Sequence, residues 1–201
     1  MPAPACCVFI ATSVDGFIAR TDGGIDWLKR VEREGEDYGY QRFFDSVDAL
    51  VIGRGTYEVV RGFDAWPYGG KRCVVLTHRT FEPKAKEEFF EGEPRALLDK
   101  LGAEGLKRVY VDGGAVISQF LAAGLIDQLT ISQVPVLLGR GLPLFHPGTE
   151  HALTLVESRS FPSGLVQSTW HKDQRGASGA SGDRPLTPAL SPLRRRERET
   201  G

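Results

Sequence analysis

Short apolar runs alternate along this chain with glycine-bearing turns and with stretches that repeat at helical spacing. Cys6–Ser13 is a continuous apolar run and reads as a central strand. Asp15-Gly16 is turn chemistry, and Phe17-Ile18-Ala19 is a second apolar patch. A polar loop, Thr21-Asp22-Gly23-Gly24, then leads to Ile25-Asp26-Trp27-Leu28. Tyr40, Phe43, Phe44 and Val47 fall at helical spacing and predict a helix within Tyr38–Val47. Ala49–Gly53 is the second strand, followed by a short helix near Thr56–Arg61. Lys71–Thr77 is the third strand. Lys84–Phe90 is charged and reads as helix or loop, and Glu93–Leu101 as a helix with Ala96, Leu97, Leu98 and Leu101 apolar. Val109–Asp112 is a buried strand, and Val116, Ile117, Phe120 and Leu121 mark the helix after it. Gln128–Val134 is a further strand, where Pro135 suggests an edge or a bend. His151–Arg159 and Leu165–His171 alternate around Phe161-Pro162-Ser163-Gly164, a terminal antiparallel hairpin.

Three strand ends carry residues suited to chemistry. In Val109–Ala122, Gly113 and Gly114 separate strand from helix. Glycine lets a backbone approach a ligand closely, and the following helix presents free N–H groups and a positive dipole end, the make-up of a pyrophosphate cradle. The competing reading is a plain turn that uses glycine for its dihedrals. After Gly53, Arg54 offers a planar donor fork to a phosphate and Thr56 a hydroxyl; alternatively Thr56 is a helix cap and Arg54 a surface charge. The third strand ends in Thr77-His78-Arg79-Thr80. In open α/β sheets, ligands bind beyond the carboxyl ends of the strands. Trp27, in the loop after the first strand, reads either as a lid or pocket wall or as an edge-of-core residue.

Composition narrows the classes. A chain of 201 residues with 41% hydrophobic and 25% charged residues suits one globular domain. A net charge of −1 gives no case for nucleic-acid or membrane affinity of the whole chain. The opening Met1–Cys7 lacks the basic end and apolar stretch of a secretory signal, so the expected location is the cytoplasm. Cys6, Cys7 and Cys73 form no C-x-x-C pair and read as reduced thiols in or beside strands. The four histidines show no metal-ligand spacing, so no metal is expected. Gly53-Arg54-Gly55 is followed by Glu58 where a third glycine would complete a Rossmann fingerprint, and no Walker A loop, zinc-deaminase signature or nucleophile elbow occurs. From Asp173 the composition shifts to glycine, serine, proline and an arginine run, which predicts a disordered tail over 173–201 after a domain over 1–172, with a nucleic-acid- or partner-binding tail as the alternative.

Five segments together carry a family likeness: Ala11-Thr12-Ser13-Val14-Asp15-Gly16-Phe17-Ile18-Ala19, Ile52–Glu58, Leu76–Arg79, Val111–Ala115 and Pro135–Gly141. In these, and in their order, the chain resembles the dihydrofolate reductase-like superfamily, most nearly the reductase domain at the C-terminus of the bifunctional riboflavin-biosynthesis deaminase–reductase. The resemblance implies an α/β three-layer fold with a mixed, mostly parallel sheet flanked by helices. It also implies NADPH as hydride donor to a small oxidised heterocycle of pterin, pyrimidine or riboflavin-precursor type. Gly113, Gly114, Ala115 and Val116 fall where the family holds the pyrophosphate. Gly53, Arg54 and Thr56 fall at the cofactor phosphates, with Arg54 suited to the 2′-phosphate. Thr77, His78 and Arg79 fall at the adenosine end, and Ala11, Thr12, Ile18 and Ala19 beside the nicotinamide. Asp37 occupies a place comparable to the substrate-anchoring carboxylate and is the catalytic candidate; Asp15, Asp26 and Trp27 are substrate-side candidates. Gly23-Gly24-Ile25-Asp26-Trp27 replaces the family's proline-bearing segment, which speaks against folate, and no deaminase half is present. The alternatives are a non-catalytic nucleotide-binding module on the same fold and a flavin-binding reductase. A homodimer is expected from a sheet edge left by Leu129–Leu138 and the C-terminal strands.

Overall fold

The computed structural model describes residues 2–79, 81–146 and 150–173; the predicted tail beyond Asp173 lies outside the described residues. In chain order the strands are β1 (Ala5–Ser13), β2 (Phe17–Ala19), β3 (Ala49–Gly53), β4 (Arg72–Leu76), β5 (Glu88–Phe90), β6 (Arg108–Asp112), β7 (Gln128–Val134), β8 (Leu142–Pro143), β9 (Leu153–Ser160) and β10 (Val166–Lys172). The helices are α1 (Tyr40–Asp45), α2 (Arg54–Arg61), α3 (Pro94–Ala103) and α4 (Gly114–Ala122), with a 3-10 turn at Asp26–Val31.

Eight strands form one sheet in the order β5-β4-β3-β6-β1-β7-β10-β9. Every pairing from β5 to β7 is parallel; β10 joins β7 and β9 antiparallel, as the predicted C-terminal hairpin. Strands covered on both faces read as unbroken apolar runs, and all five residues of β3 are buried. Alternate residues serve opposite faces. On one face Cys6, Val8, Val51 and Val109 pack with Leu97, Leu98 and Leu101 of α3 and with Ile117 and Phe120 of α4. On the other, Cys7, Leu50, Ile52 and Tyr110 pack with Phe43 of α1 and with Tyr57 and Val60 of α2. All three cysteines are buried free thiols, as their apolar strand settings predict.

Three expectations need correction. Lys84–Phe90 contains strand β5, neither helix nor unbroken loop. Its charges are neutralised locally: Glu88 takes a two-pronged ion pair from Arg72 (2.6 and 2.9 Å), and buried Glu87 accepts from the Tyr57 hydroxyl and from the Lys84 and Ala85 amides. Pro135 marks the bend and not the edge: β7 is interior between β1 and β10, and the chain bends at the proline just past its end. Helix α2 begins at Arg54, so Thr56 lies inside it and the cap position belongs to Gly53.

Phe120 is fully buried between α4 and the sheet. Phe120→Ala is expected to lower unfolding free energy by about 3–5 kcal/mol, read from urea denaturation; a loss below about 1 kcal/mol would contradict the assigned core.

Candidate active site

Parallel pairing lines up the carboxyl ends of neighbouring strands. Gly53 sits opposite Leu76, and Ile52 opposite Asp112, so the ends of β4, β3 and β6 stand in a row, with β1 next to β6. The three joints singled out from sequence are therefore neighbours: Thr77–Arg79, Gly53–Thr56 and Gly113–Val116.

The β3 and β6 joints touch. Gly113 holds φ +98°, a conformation that side chains disfavour, and a Cβ there would fall 2.3 Å from Thr56 Oγ1. A Cβ on Gly53 would fall 2.8 Å from Val116 Cγ2, and one on Gly114 2.9 Å from Ile18 Cδ1. Both glycine expectations thus have a steric cause beyond turn geometry. No side chain caps α4, which leaves its first N–H groups and dipole end directed at the space over Gly113. Val116 is buried against Gly53, so only its backbone faces that space. The Arg54 side chain is half-exposed, with one loose contact to Glu58 at 3.6 Å. The Thr77 hydroxyl accepts from Arg79 N–H (3.0 Å) and shapes the turn, while His78 extends outward toward Glu91 (3.1 Å).

On the β1 side, Ala11 and buried Thr12 lie near the strand end, and Ser13 Oγ accepts from Phe17 N–H (3.0 Å). β2 pairs with β8, placing Ala19 beside Leu142; a Cβ on Gly141 would meet Ala19 O at 2.3 Å. The Gly139–Gly141 turn is thereby locked onto Phe17 and Ala19.

A cavity of about 270 Å³ opens beside Ala11. Its floor includes Phe9, Ala11 and Val134, and its rim includes Asp37 and Glu36. Asp37 accepts from the Gln41 and Gly39 amides, both at 2.9 Å, which holds its carboxyl below the usual range. It is therefore an ionised cap of α1, suited to anchoring a donor edge and unsuited to giving up a proton.

The other substrate-side candidates are not in this cavity. Asp15 spends both oxygens on the Leu138 and Gly139 amides (3.1 and 2.7 Å), and the Ser13 hydroxyl and these amides lower its pKa. Asp26 is tied to Arg20 by two contacts (2.7 and 3.0 Å) in the exposed loop. Trp27 is buried with Val31, Val134 and Leu165, which makes it core beneath the cavity and no lid. The roles of Asp15 and Trp27 follow from a partner distant in sequence and from packing, neither of which loop position reveals, whereas Asp26 is held within its own loop.

Sequence reasoning misses Asp112, although it stands inside the Val111–Ala115 motif. It ends β6 on the face shared with Tyr110, and its charge is felt by Tyr40, Tyr68 and Tyr110. Desolvation raises its pKa to about 6, partly offset by the Gly113 amide and the Tyr110 hydroxyl. Tyr110 also donates to Phe9 O (2.8 Å), which ties this neighbourhood to the cavity floor.

This fold, with its row of strand-end joints, is that of the dihydrofolate reductase-like α/β class. Dihydrofolate reductase from Enterococcus faecalis, solved in complex with NADP(H), superposes with a TM-score of 0.58 over 84% of this chain and 96% of its own, at 14% identity. Within that class the chain belongs to the family of the RibD C-terminal domain, whose family model matches residues 4–167. It is 39% identical over 158 residues to the uncharacterised YwjB of Bacillus subtilis, covering 77% of this chain and 90% of that protein. A crystal structure from Shewanella sp. PV-4, of a protein assigned provisionally to riboflavin biosynthesis, is 37% identical with a TM-score of 0.80, covering 85% of this chain and 99% of that one.

Asp112 binds a proton in the folded chain at pH values where the unfolded chain, with the ordinary aspartate pKa of 3.8, has lost it. Stability is therefore expected to fall as pH rises from about 4 to about 6, by up to about 3 kcal/mol, from roughly two pKa units. Asp112→Asn should remove that decline. Urea unfolding at pH 4 and pH 8 reads it, and parallel profiles for the two proteins would contradict the shift.

Proposed function

We propose that this chain is an NADPH-dependent reductase that delivers a hydride to a small oxidised heterocycle. The observation that carries this reading is the contact between the side-chain-free bend at Gly113 and Thr56, beneath an uncapped helix and beside Arg54. The residues fit the cofactor: the free N–H groups of α4 suit a diphosphate, and the bend at Gly113, with Thr56 in the place of its Cβ, brings the β3 joint in beside them. Arg54 would take the 2′-phosphate, and Thr77, His78 and Arg79 would flank the adenosine. Gly53, which lacks a side chain where Val116 packs, would sit beside the phosphates, and Ala11, Thr12, Ile18 and Ala19 would line the nicotinamide end.

When bound, NADPH supplies the hydride. The chain's own residues position the acceptor and manage the proton. Asp37, ionised throughout the neutral range, holds an N–H edge of the acceptor in the cavity beside Ala11. Asp112, with a pKa near 6, keeps a proton in a fraction of molecules near neutrality and, through Tyr110, adjoins Phe9 of the cavity, which makes it the carboxyl to test as the source of the proton. The ionised state of Asp37 is also the one observation that favours the second reading, a nucleotide-binding module without turnover; NADPH oxidation with any heterocyclic acceptor removes it.

The proposal includes a cytoplasmic homodimer. Among the described residues no helix is long and apolar enough to cross a membrane. One of the two sheet edges is β9, exposed along its whole length and carrying Leu153, Leu155 and Val156. Long apolar edges invite pairing unless covered, and a second copy would cover this one.

Arg54→Ala is expected to weaken NADPH binding by about tenfold or more while leaving NADH affinity within about twofold, as loss of one charge-assisted phosphate contact predicts. Fluorescence titration with both nucleotides reads it; an equal effect on both would remove the role given to Arg54. Sedimentation equilibrium should return the mass of two chains, and a stable single-chain mass would rule out the dimer.

A further inference from the structure

The sheet face that carries α1 holds a second open space. α1 is six residues long and sets Phe43 on Phe9 and on Tyr110, with ring centroids 5.0 Å apart in each case. Beyond β1 the strands turn polar: Gln128 lies opposite His171, and Thr130 opposite Thr169, which in turn lies opposite Glu157. A groove of about 330 Å³ runs between α1 and these strands, a size that suits a small organic ligand.

Unmatched positive charge gathers at one end of it. Asp48, just past α1, accepts from the Lys107 and Arg108 amides (2.7 and 2.9 Å), which brings the start of β6 beside the end of α1. Arg108 and Arg42 therefore line the same end of the groove, with Ser46, Gln128 and His171. The nearby carboxylates serve the backbone: Asp48 holds those two amides, and Asp127 accepts from the Cys6 amide (2.8 Å). Arg108 Nη2 donates to Gln128 Oε1 (3.1 Å), while its Nε is buried with no hydrogen-bond partner. A buried N–H is costly to leave unmatched, and a ligand oxygen would satisfy it. The Arg42 and His171 side chains make no hydrogen bond or ion pair among the described residues, and Arg42 acts on Asp37 only through space. At the other end the charges are already matched. Arg159 lies 3.7 Å from Glu157, the one carboxylate that lines the groove, and sits over the Phe161 ring.

We infer that this groove is a binding site for a small phosphate monoester, with the phosphate held by Arg42 and Arg108 and the organic part lying along Phe9 and Phe43. Guanidinium groups offer planar donor forks to phosphate oxygens, and Arg108 Nε supplies the N–H that the fold leaves unmatched. The site is separate from the cofactor row. Arg108 and Gln128 open β6 and β7, whereas the cofactor reading uses the opposite strand ends; from Arg108 to Asp112 is about 13 Å at roughly 3.3 Å per residue. Pairing of two copies along the β9 edge extends the sheet sideways and leaves this face open. The groove shares Phe9 and Tyr38 with the cavity beside Ala11, so a bound ester adjoins that cavity.

Calorimetric titration of the full chain with phenyl phosphate and with inorganic phosphate tests this. Phenyl phosphate should bind at least about threefold more tightly than inorganic phosphate, and its affinity should fall as salt is added. Arg42→Gln should weaken it by about fivefold or more, and Arg108→Lys, which keeps the charge and loses the fork, by about threefold or more. Arg159→Gln, at the matched end, should change it by less than about twofold. Saturating NADPH should leave the affinity within about twofold. Arg42 is exposed, so its variant stays readable even if Arg108→Lys fails to fold. No binding to the native protein, equal affinity for the two probes, indifference to Arg42→Gln, an Arg159→Gln effect as large as that of Arg42→Gln, or displacement by NADPH would each overturn the inference.

Discussion

The molecule is organised by a contact that only glycine permits. β3 and β6 run side by side and parallel, so the turns that follow them emerge together, and one turn must lack a side chain for the other to pass. Gly113 is that position: Thr56 Oγ1 occupies the place of its absent Cβ, and the backbone holds a φ that other residues resist. From this follow the tight entry into α4, the exposure of its first N–H groups and the nearness of Arg54. Gly114 repeats the device against Ile18, and Gly141 against Ala19, so that the loops around β2 and β8 close over the same end of the sheet.

The carboxylates divide by environment. Asp37 is open to solvent and surrounded by donors, which keeps it charged. Asp112 is crowded by aromatic rings at the end of a buried strand, which keeps it partly protonated near neutral pH. Asp15 and Asp26 are consumed by local structure, one clamping the Leu138–Gly139 turn and the other paired with Arg20. Two carboxyl groups in one part of the fold are thus pushed in opposite directions from the ordinary aspartate value, one by donors and one by burial.

Much of this is legible in the chain. Buried parallel strands are unbroken apolar runs, so the pattern places Ala49–Gly53 to the residue, and partial alternation places Gln128–Val134. The joints are visible because glycine, arginine and threonine cluster just past those runs. What escapes has causes outside local pattern. β5 is three residues long and its charges are cancelled by Arg72, Tyr57 and backbone amides that sequence does not place nearby. For Trp27 loop position leaves a lid and an edge-of-core residue equally open, and burial by Val134 and Leu165 decides for the core. Asp112 is hidden by its neighbours: Gly113 and Gly114 point toward phosphate binding, while the aromatic cluster that raises its pKa is assembled from α1, the loop after α2 and β6.

The central claim is that three adjacent strand ends grip one dinucleotide. Amide hydrogen exchange with and without NADPH tests it most directly. The account predicts slowed exchange concentrated at Gly53–Thr56, Thr77–Arg79 and Gly113–Val116, with the β9–β10 hairpin unchanged. Protection that spares Gly113–Val116, or that falls mainly elsewhere, would contradict it.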